Sequence, residues 1–379
     1  MNVRRRTPRR WRRVVLSLLM ALASSSAAVS LSGAAPSLVV PQMLVRVPGS
    51  QTMYVVDLVK CQQVRCLHLY RTSVLAKTYR AVSLPPLSAV AGTPTGDLIR
   101  LAFATANEGY ALVGRYFSWR LYKTMNGARS WQRVSTPPGR SVVGLTVSAS
   151  SVYLATANCS GTDNLCRDYQ LNRSTLLVHK WTSSTWPHPA RTNVTDGEFS
   201  PNVGAWGSYV WISENTHAGS TIFTSHDQGR TFIPIRANSL ASVSGCAITA
   251  ESVRSLWAEC PTGMMVSFFH SSDGGVTWTN VPQRPFFGTG GGTFDPVSSS
   301  IAYLAYGATQ PLVRIFDEGK RATTVGALNC SKVNSSINEL MFDDQDHGLA
   351  ICLPGDSALR ALLLKTVDGG AHWTRVPAN

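Results

Sequence analysis

Apolar residues in this chain fall into short runs separated by Gly, Pro, Asn and Ser, and the runs recur in a fixed order. One set comprises Leu44 to Val47, Leu98 to Phe103, Val142 to Val147, Val243 to Thr249 and Ile337 to Phe342. A second set, rich in small and aromatic residues, follows: Met53 to Leu58, Gly109 to Val113, Val152 to Ala155, Tyr209 to Ser213, Ser255 to Cys260, Ile301 to Tyr306 and Gly348 to Cys352. A third includes Leu67 to Tyr70, Trp119 to Tyr122, Met265 to Phe269, Leu312 to Phe316 and Ala361 to Lys365. A short fourth run closes each unit, often at proline, as in Val281-Pro282 and Val376-Pro377. Helical periodicity is nearly absent beyond the N-terminus. Four short strands per unit, joined by turn residues, predict repeated four-stranded antiparallel sheets.

A recurring eight-residue pattern stands between the third and fourth runs. It begins with a hydroxyl and has an acid or amide at its third position. Glycine follows two residues later and an aromatic three beyond that. Its copies are Ser225-His-Asp227-Gln-Gly229-Arg-Thr-Phe232, Ser271-Ser-Asp273-Gly-Gly275-Val-Thr-Trp278 and Thr366-Val-Asp368-Gly-Gly370-Ala-His-Trp373, with Thr124-Met-Asn126-Gly-Ala128-Arg-Ser-Trp131 weaker. Decayed copies start at Ser174, which keeps Trp181; at Ile315, which keeps Asp317 and Gly319; and at Thr72, which keeps only the ends. The starts at 72, 124, 174, 225, 271, 315 and 366 are 52, 50, 51, 46, 44 and 51 residues apart. Seven units of blade length predict an all-β, seven-bladed β-propeller. Its blades would span about 38–92, 93–140, 141–194, 195–238, 239–288, 289–332 and 333–379. The acids are read as turn formers that accept backbone N–H groups two residues on. The glycines supply positive φ, and the aromatics pack between sheets.

The pattern resembles the Asp-box, or BNR repeat, of sialidase-like β-propellers. The phrasing Asn107-Glu-Gly109-Tyr-Ala with Leu121-Tyr-Lys-Thr124, and Asp346-His-Gly348-Leu-Ala with Leu364-Lys-Thr366, resembles the photosystem II assembly factor family and its exported bacterial members. That resemblance covers nearly the whole chain after the N-terminal segment. It implies a scaffold that binds a protein or glycan on its loop face, opposite the boxes. Second-to-third-strand and inter-blade loops would share that face. Its best cluster is Arg115, Tyr116, Phe117, Trp119 and Arg120; Arg284, Phe286 and Phe287 form a second, and His188, Arg191 and Glu198 lie in the longest inter-blade loop. Aromatics beside arginine are typical of recognition surfaces, although such residues also pack between blades. The sialidase alternative needs an arginine triad, a Tyr–Glu pair and an acidic acid/base. Arg46-Val47-Pro48 is the one echo of it, and shared fold does not transfer activity. No phosphate loop, zinc motif or nucleophile elbow occurs, so neither cofactor nor metal is expected.

Composition refines the compartment. Residues 1–35 read as a signal peptide or N-terminal anchor: seven arginines between Arg4 and Arg13, the apolar run Val14 to Ala23, then small residues with cleavage after Ala28 or Ala34. The formal charge of +14 falls to +7 once those arginines are set aside, since 28 Lys and Arg then face 21 acids. The remainder has no basic run of nucleic-acid type. Arginine far outnumbers lysine, which points to a GC-rich bacterial genome. The eight cysteines pair locally in order as Cys61–Cys66, Cys159–Cys166, Cys246–Cys260 and Cys330–Cys352, which suits an exported protein. The expectation is a secreted or extracytoplasmic monomer that meets the membrane only through an uncleaved N-terminus.

Overall fold

The computed structural model describes residues 39–61, 64–73, 75, 79–86, 98–115, 118–159, 166–176, 180–187, 201–216, 219–235, 246–262, 265–281, 292–306, 311–328, 330, 336–353 and 361–377. Among them are 28 strands, numbered β1–β28 along the chain, in seven four-stranded antiparallel sheets. The protein is an all-β, seven-bladed propeller, and the described residues include no helix. The innermost strands are β1 (Val39–Arg46), β5 (Leu98–Phe103), β9 (Ser141–Val147), β13 (Asn202–Trp206), β17 (Ala247–Ala250), β21 (Gly292–Pro296) and β25 (Ser336–Phe342).

The second strand of each blade is buried on both faces because each blade is sandwiched between two others. In β2 (Thr52–Cys61), Met53 and Val55 pack toward the last blade, while Tyr54 and Val56 pack toward the second. This is why those runs are continuously apolar rather than alternating. Several fourth strands, such as β4 (Arg80–Val82) and β16 (Ile233–Ile235), are short and largely exposed, which limits edge-to-edge pairing.

The repeated turn links the third and fourth strands. Ser225 Oγ accepts Asp227 N and Gly229 N, at 3.3 and 2.8 Å, and donates to Asp227 Oδ1 at 2.6 Å. Asp227 in turn accepts Arg230 N and Thr231 N at 3.0 and 2.9 Å. The acid therefore caps groups three and four residues on, whereas the sequence pattern suggested two; the hydroxyl takes the nearer N–H. Asp273 and Asp368 repeat this network. Asn126 keeps most of it, accepting Ser130 N at 3.0 Å, and Ala128 takes the glycine position with φ 63°. In blade 6, Ile315 replaces the hydroxyl, and Asp317, Glu318 and Gly319 close a tight turn with positive φ throughout.

A second repeat joins blade to blade. The residue after the partner of each repeat's first position is Tyr54, Tyr110, Tyr153, Trp211, Trp257, Tyr303 or Leu349. Five of these donate to a backbone carbonyl of the next blade: Tyr54 to Ala106, Tyr110 to Leu176, Trp211 to Ile248, Trp257 to Ser298 and Tyr303 to Gln345. Leu349, in the last blade, has no such group.

The ring closes without strand exchange. Blade 1 is β1–β4, with β3 at Val64–Ser73, and blade 7 is β25–β28, with β26 at Gly348–Leu353, β27 at Leu362–Thr366 and β28 at Thr374–Arg375. The seam between them is a side-chain cluster: Leu44, Met53, Val55, Tyr70 and Tyr79 against Leu349, Ile351, Ala361, Leu363 and Val376.

Disulfides join Cys159 to Cys166, Cys246 to Cys260 and Cys330 to Cys352. The expected Cys61–Cys66 bridge lies outside the described side chains. No helix among the described residues is long and apolar enough to cross a membrane.

Candidate functional site

The repeated turns and the first-to-second-strand turns share one face, as Gly127 N to Asn107 O, Gln228 N to Ser208 O and Gly274 N to Arg254 O attest. On that face the ends of the inner strands surround a cavity of about 670 Å³. Arg46, Phe103, Trp206, Ile248, Glu251 and Asp343 are among its walls. Trp206 is 41% exposed there, while most aromatics nearby serve the blade interfaces.

A charged cluster lies at the cavity edge. Arg46 Nη2 meets both oxygens of Asp295, at 2.7 and 2.6 Å, and Nη1 donates to Pro296 O at 3.1 Å. Glu251 stands 3.9 Å from the same guanidinium. Asp295 also accepts the backbone N–H of Phe342. One buried carboxylate thus ties blade 6 to blades 7 and 1. Burial pushes the Asp295 carboxyl up to about 6 despite Arg46 and the Phe342 N–H. Burial lifts Glu251 to about 7, with Arg46 opposing and Asp295 adding to the rise. Glu339 also reaches about 7 through burial and Asp295. Arg46 is therefore committed to holding the ring together, rather than free for a ligand carboxylate as the Arg46-Val47-Pro48 echo would require.

The turn acids have the opposite electrostatics. His372 N and its side chain, then Thr366, hold Asp368 down at about 2. For Asp227, slight burial is outweighed by bonds from Ser225, Thr231 and Arg230, and its carboxyl falls below the usual range. These turn caps are ionised at neutral pH.

Most of the predicted loop-face residues lie outside the described set: Tyr116, Phe117, His188, Arg191, Glu198, Arg284, Phe286 and Phe287. Arg115 is described in its backbone alone, where it pairs with Ser118. Two members of the first cluster are placed. Trp119 is half-buried against the core between blades 2 and 3, with the Arg100 guanidinium 5.8 Å from its ring centre. Trp119 and exposed Arg120 line a cavity of about 320 Å³ with Arg133, Val134, Ser135 and Thr136. Arg100 is tied to Val143 O at 3.0 Å, and the one sign of it in the sequence is a charged residue within an otherwise apolar inner run.

Among the described residues, no group of three or more His, Cys, Asp or Glu is arranged to hold a metal ion. Asp295, Glu251 and Glu339 escaped the sequence reading because their partners come from other blades.

No protein-family model matches the chain, and no curated protein matches it in sequence. Solved structures resemble it in fold. A structure of YCF48 bound to D1 peptide has TM-score 0.54 and 16% identity, covering 88% of this chain and 94% of that one. YCF48 from Cyanidioschyzon merolae has TM-score 0.50 and 12% identity, covering 76% and 87%. The β-propeller domain of the Trilobed protease from Pyrococcus furiosus, whose report describes an open velcro topology, has TM-score 0.56 and 7% identity, covering 89% and 98%. These likenesses define a class, the seven-bladed propeller.

Proposed function

We propose that the chain is an exported, non-catalytic propeller that holds a protein or glycan on the loop face opposite its Asp-box turns. The observation that carries this reading is the edge of blade 2, where Trp119, Arg120 and Arg133 line one cavity near the start of the strand Ser118–Thr124. Trp119, with the Arg100 guanidinium near its ring and Arg120 and Arg133 lining the same cavity, suits peptide carbonyls, carboxylates and sugar faces alike. The fold-level likeness to YCF48, whose solved structure contains a D1 peptide, supports a protein ligand over the glycan. Three disulfides fit an oxidising compartment outside the cytoplasm. Capture of partners from an envelope fraction, identified by mass spectrometry, tests the reading. Trp119→Ala and Arg120→Ala should each weaken recovery of the same partner several-fold. Equal recovery by both variants would remove this edge as the binding site.

The glycoside hydrolase reading keeps one point in its favour. Glu251 lines the central cavity, Asp295 lies close enough to act on both Glu251 and Glu339, and all three carboxyls are raised to between about 6 and 7, a range suited to general acids. Turnover of fluorogenic sialosides and aryl glycosides that vanishes in Glu251→Gln would replace the scaffold reading.

A further inference from the structure

Asp57 lies within the apolar run Val55-Val56-Asp57-Leu58-Val59 and is fully buried. It continues the face of β2 that carries Met53 and Val55, so it points into the seam between blades 1 and 7. Both of its carboxylate oxygens are buried without a formed hydrogen bond. The Tyr79 hydroxyl is close enough to favour its ionised form, but burial outweighs that help and lifts the carboxyl to about 7. The same contact, with burial, pushes the Tyr79 hydroxyl up.

Among the described residues, the other titratable groups on this side are few. On β3, His68 pairs directly with Asp57, and Tyr70 lies one pair further along that face. On β28, Arg375 is near enough to Tyr79 to draw its hydroxyl down slightly. On β27, Lys365 shares the face of Leu363. On β25, Glu339 pairs with Ile351 and is a second raised carboxyl. The remaining neighbours, Leu349, Ile351, Ala361 and Val376, are apolar.

Two features set this junction apart. Blades 7 and 1 are not consecutive in the chain, and neither Asp57 oxygen is hydrogen-bonded, whereas buried Glu214, facing the cluster between blades 3 and 4, accepts the Trp186 indole N–H. Leu349 also supplies no polar donor to blade 1. We propose that the seam is a pH-sensitive joint, tight while Asp57 holds its proton and weakened when Asp57 ionises. An ionised carboxylate without partners is costly in an apolar interface, whereas an opened seam hydrates it. The carboxyl is raised in the closed state, so the seam's stability is complete below about pH 4. It is lost as pH rises through about 7. This holds whatever ligand the loop face takes.

Hydrogen exchange on the full chain, followed by mass spectrometry at pH 5.5 and 8 and corrected for intrinsic rates, tests it. Peptides from β1–β4 and β25–β28 should open on the order of thirtyfold more at pH 8, for a group titrating near 7 closed and near 3.8 open. Peptides from blades 3 to 5 serve as the internal reference. Asp57→Asn should abolish the excess, and Glu339→Gln should leave it in place. A rise shared equally by all blades in the wild type would overturn the proposal even if Asp57→Asn failed to fold. So would a seam-specific rise that survives Asp57→Asn or disappears in Glu339→Gln.

Discussion

The smallest unit of this protein is a hydroxyl and a carboxylate two residues apart. Ser271 and Asp273 together take up N–H groups of Asp273, Gly275 and Thr277, and Asp273 also accepts the Thr277 hydroxyl at 2.6 Å. Asp273→Ala would leave Thr277 N without its cap, and about 1–2 kcal/mol of stability should go with it. Urea unfolding at pH 7 measures that loss. The Asp273 carboxyl is held low by Thr277 and Ser271, which outweigh its slight burial, so its contribution is present at neutral pH and fades as the carboxyl protonates in acid. These turns were legible in the sequence because every participant lies within eight residues. The exact donors were not, since two acceptors share three candidate N–H groups. Blade 6 shows what happens when the hydroxyl goes: Ile315 cannot accept, and the chain tightens into a different turn at Asp317 to Gly319.

A blade was readable as four runs because burial on two faces leaves a continuous apolar stretch. What joins neighbouring blades was less visible, since an aromatic that donates from its ring edge looks in sequence like any core aromatic. The close fit between them is set by glycine in places. A Cβ at Gly348 would come within 2.8 Å of the Phe342 ring, which stacks on Tyr303 with centroids 3.7 Å apart. Disulfides add a local crosslink. Cys246 and Cys260 are both buried in the cluster between blades 4 and 5 and are separated by 14 residues. In the chain-entropy account a loop of that length is worth about 3 kcal/mol. Replacing both cysteines with alanine should lower the thermal midpoint by several degrees, and dithiothreitol should reduce the wild type toward the variant. Identical midpoints for the wild type and the double alanine variant would show that this bridge carries no stability.

The ring as a whole depends on contacts that no local pattern announces. Arg46 and Asp295 are 249 residues apart, yet their pairing, with the Phe342 N–H, binds blades 6, 7 and 1. Arg46→Ala would strand a buried carboxylate, and the expected cost is about 3 kcal/mol near neutral pH. Without the guanidinium the Asp295 carboxyl rises further from about 6, so the cost should shrink below pH 4, where it is protonated folded and unfolded alike. Unfolding midpoints of wild type and variant at pH 4 and pH 8 test this: a gap independent of pH would assign Arg46 a packing role alone. The same reasoning explains why the channel residues were missed. An acid in a first-strand run gives no hint of which blade will face it until seven units are bent into a circle.

Because every sheet is built from four consecutive strands, each blade is complete as soon as its own segment has emerged. A ring closed by a borrowed strand must wait for its far terminus before the first sheet is whole. This chain can instead assemble in order of arrival, each blade docking on the one before. Its topology also has no privileged starting point. New termini placed between other blades, with the old ones joined, would keep all seven sheets uncut and merely move the opening to another interface.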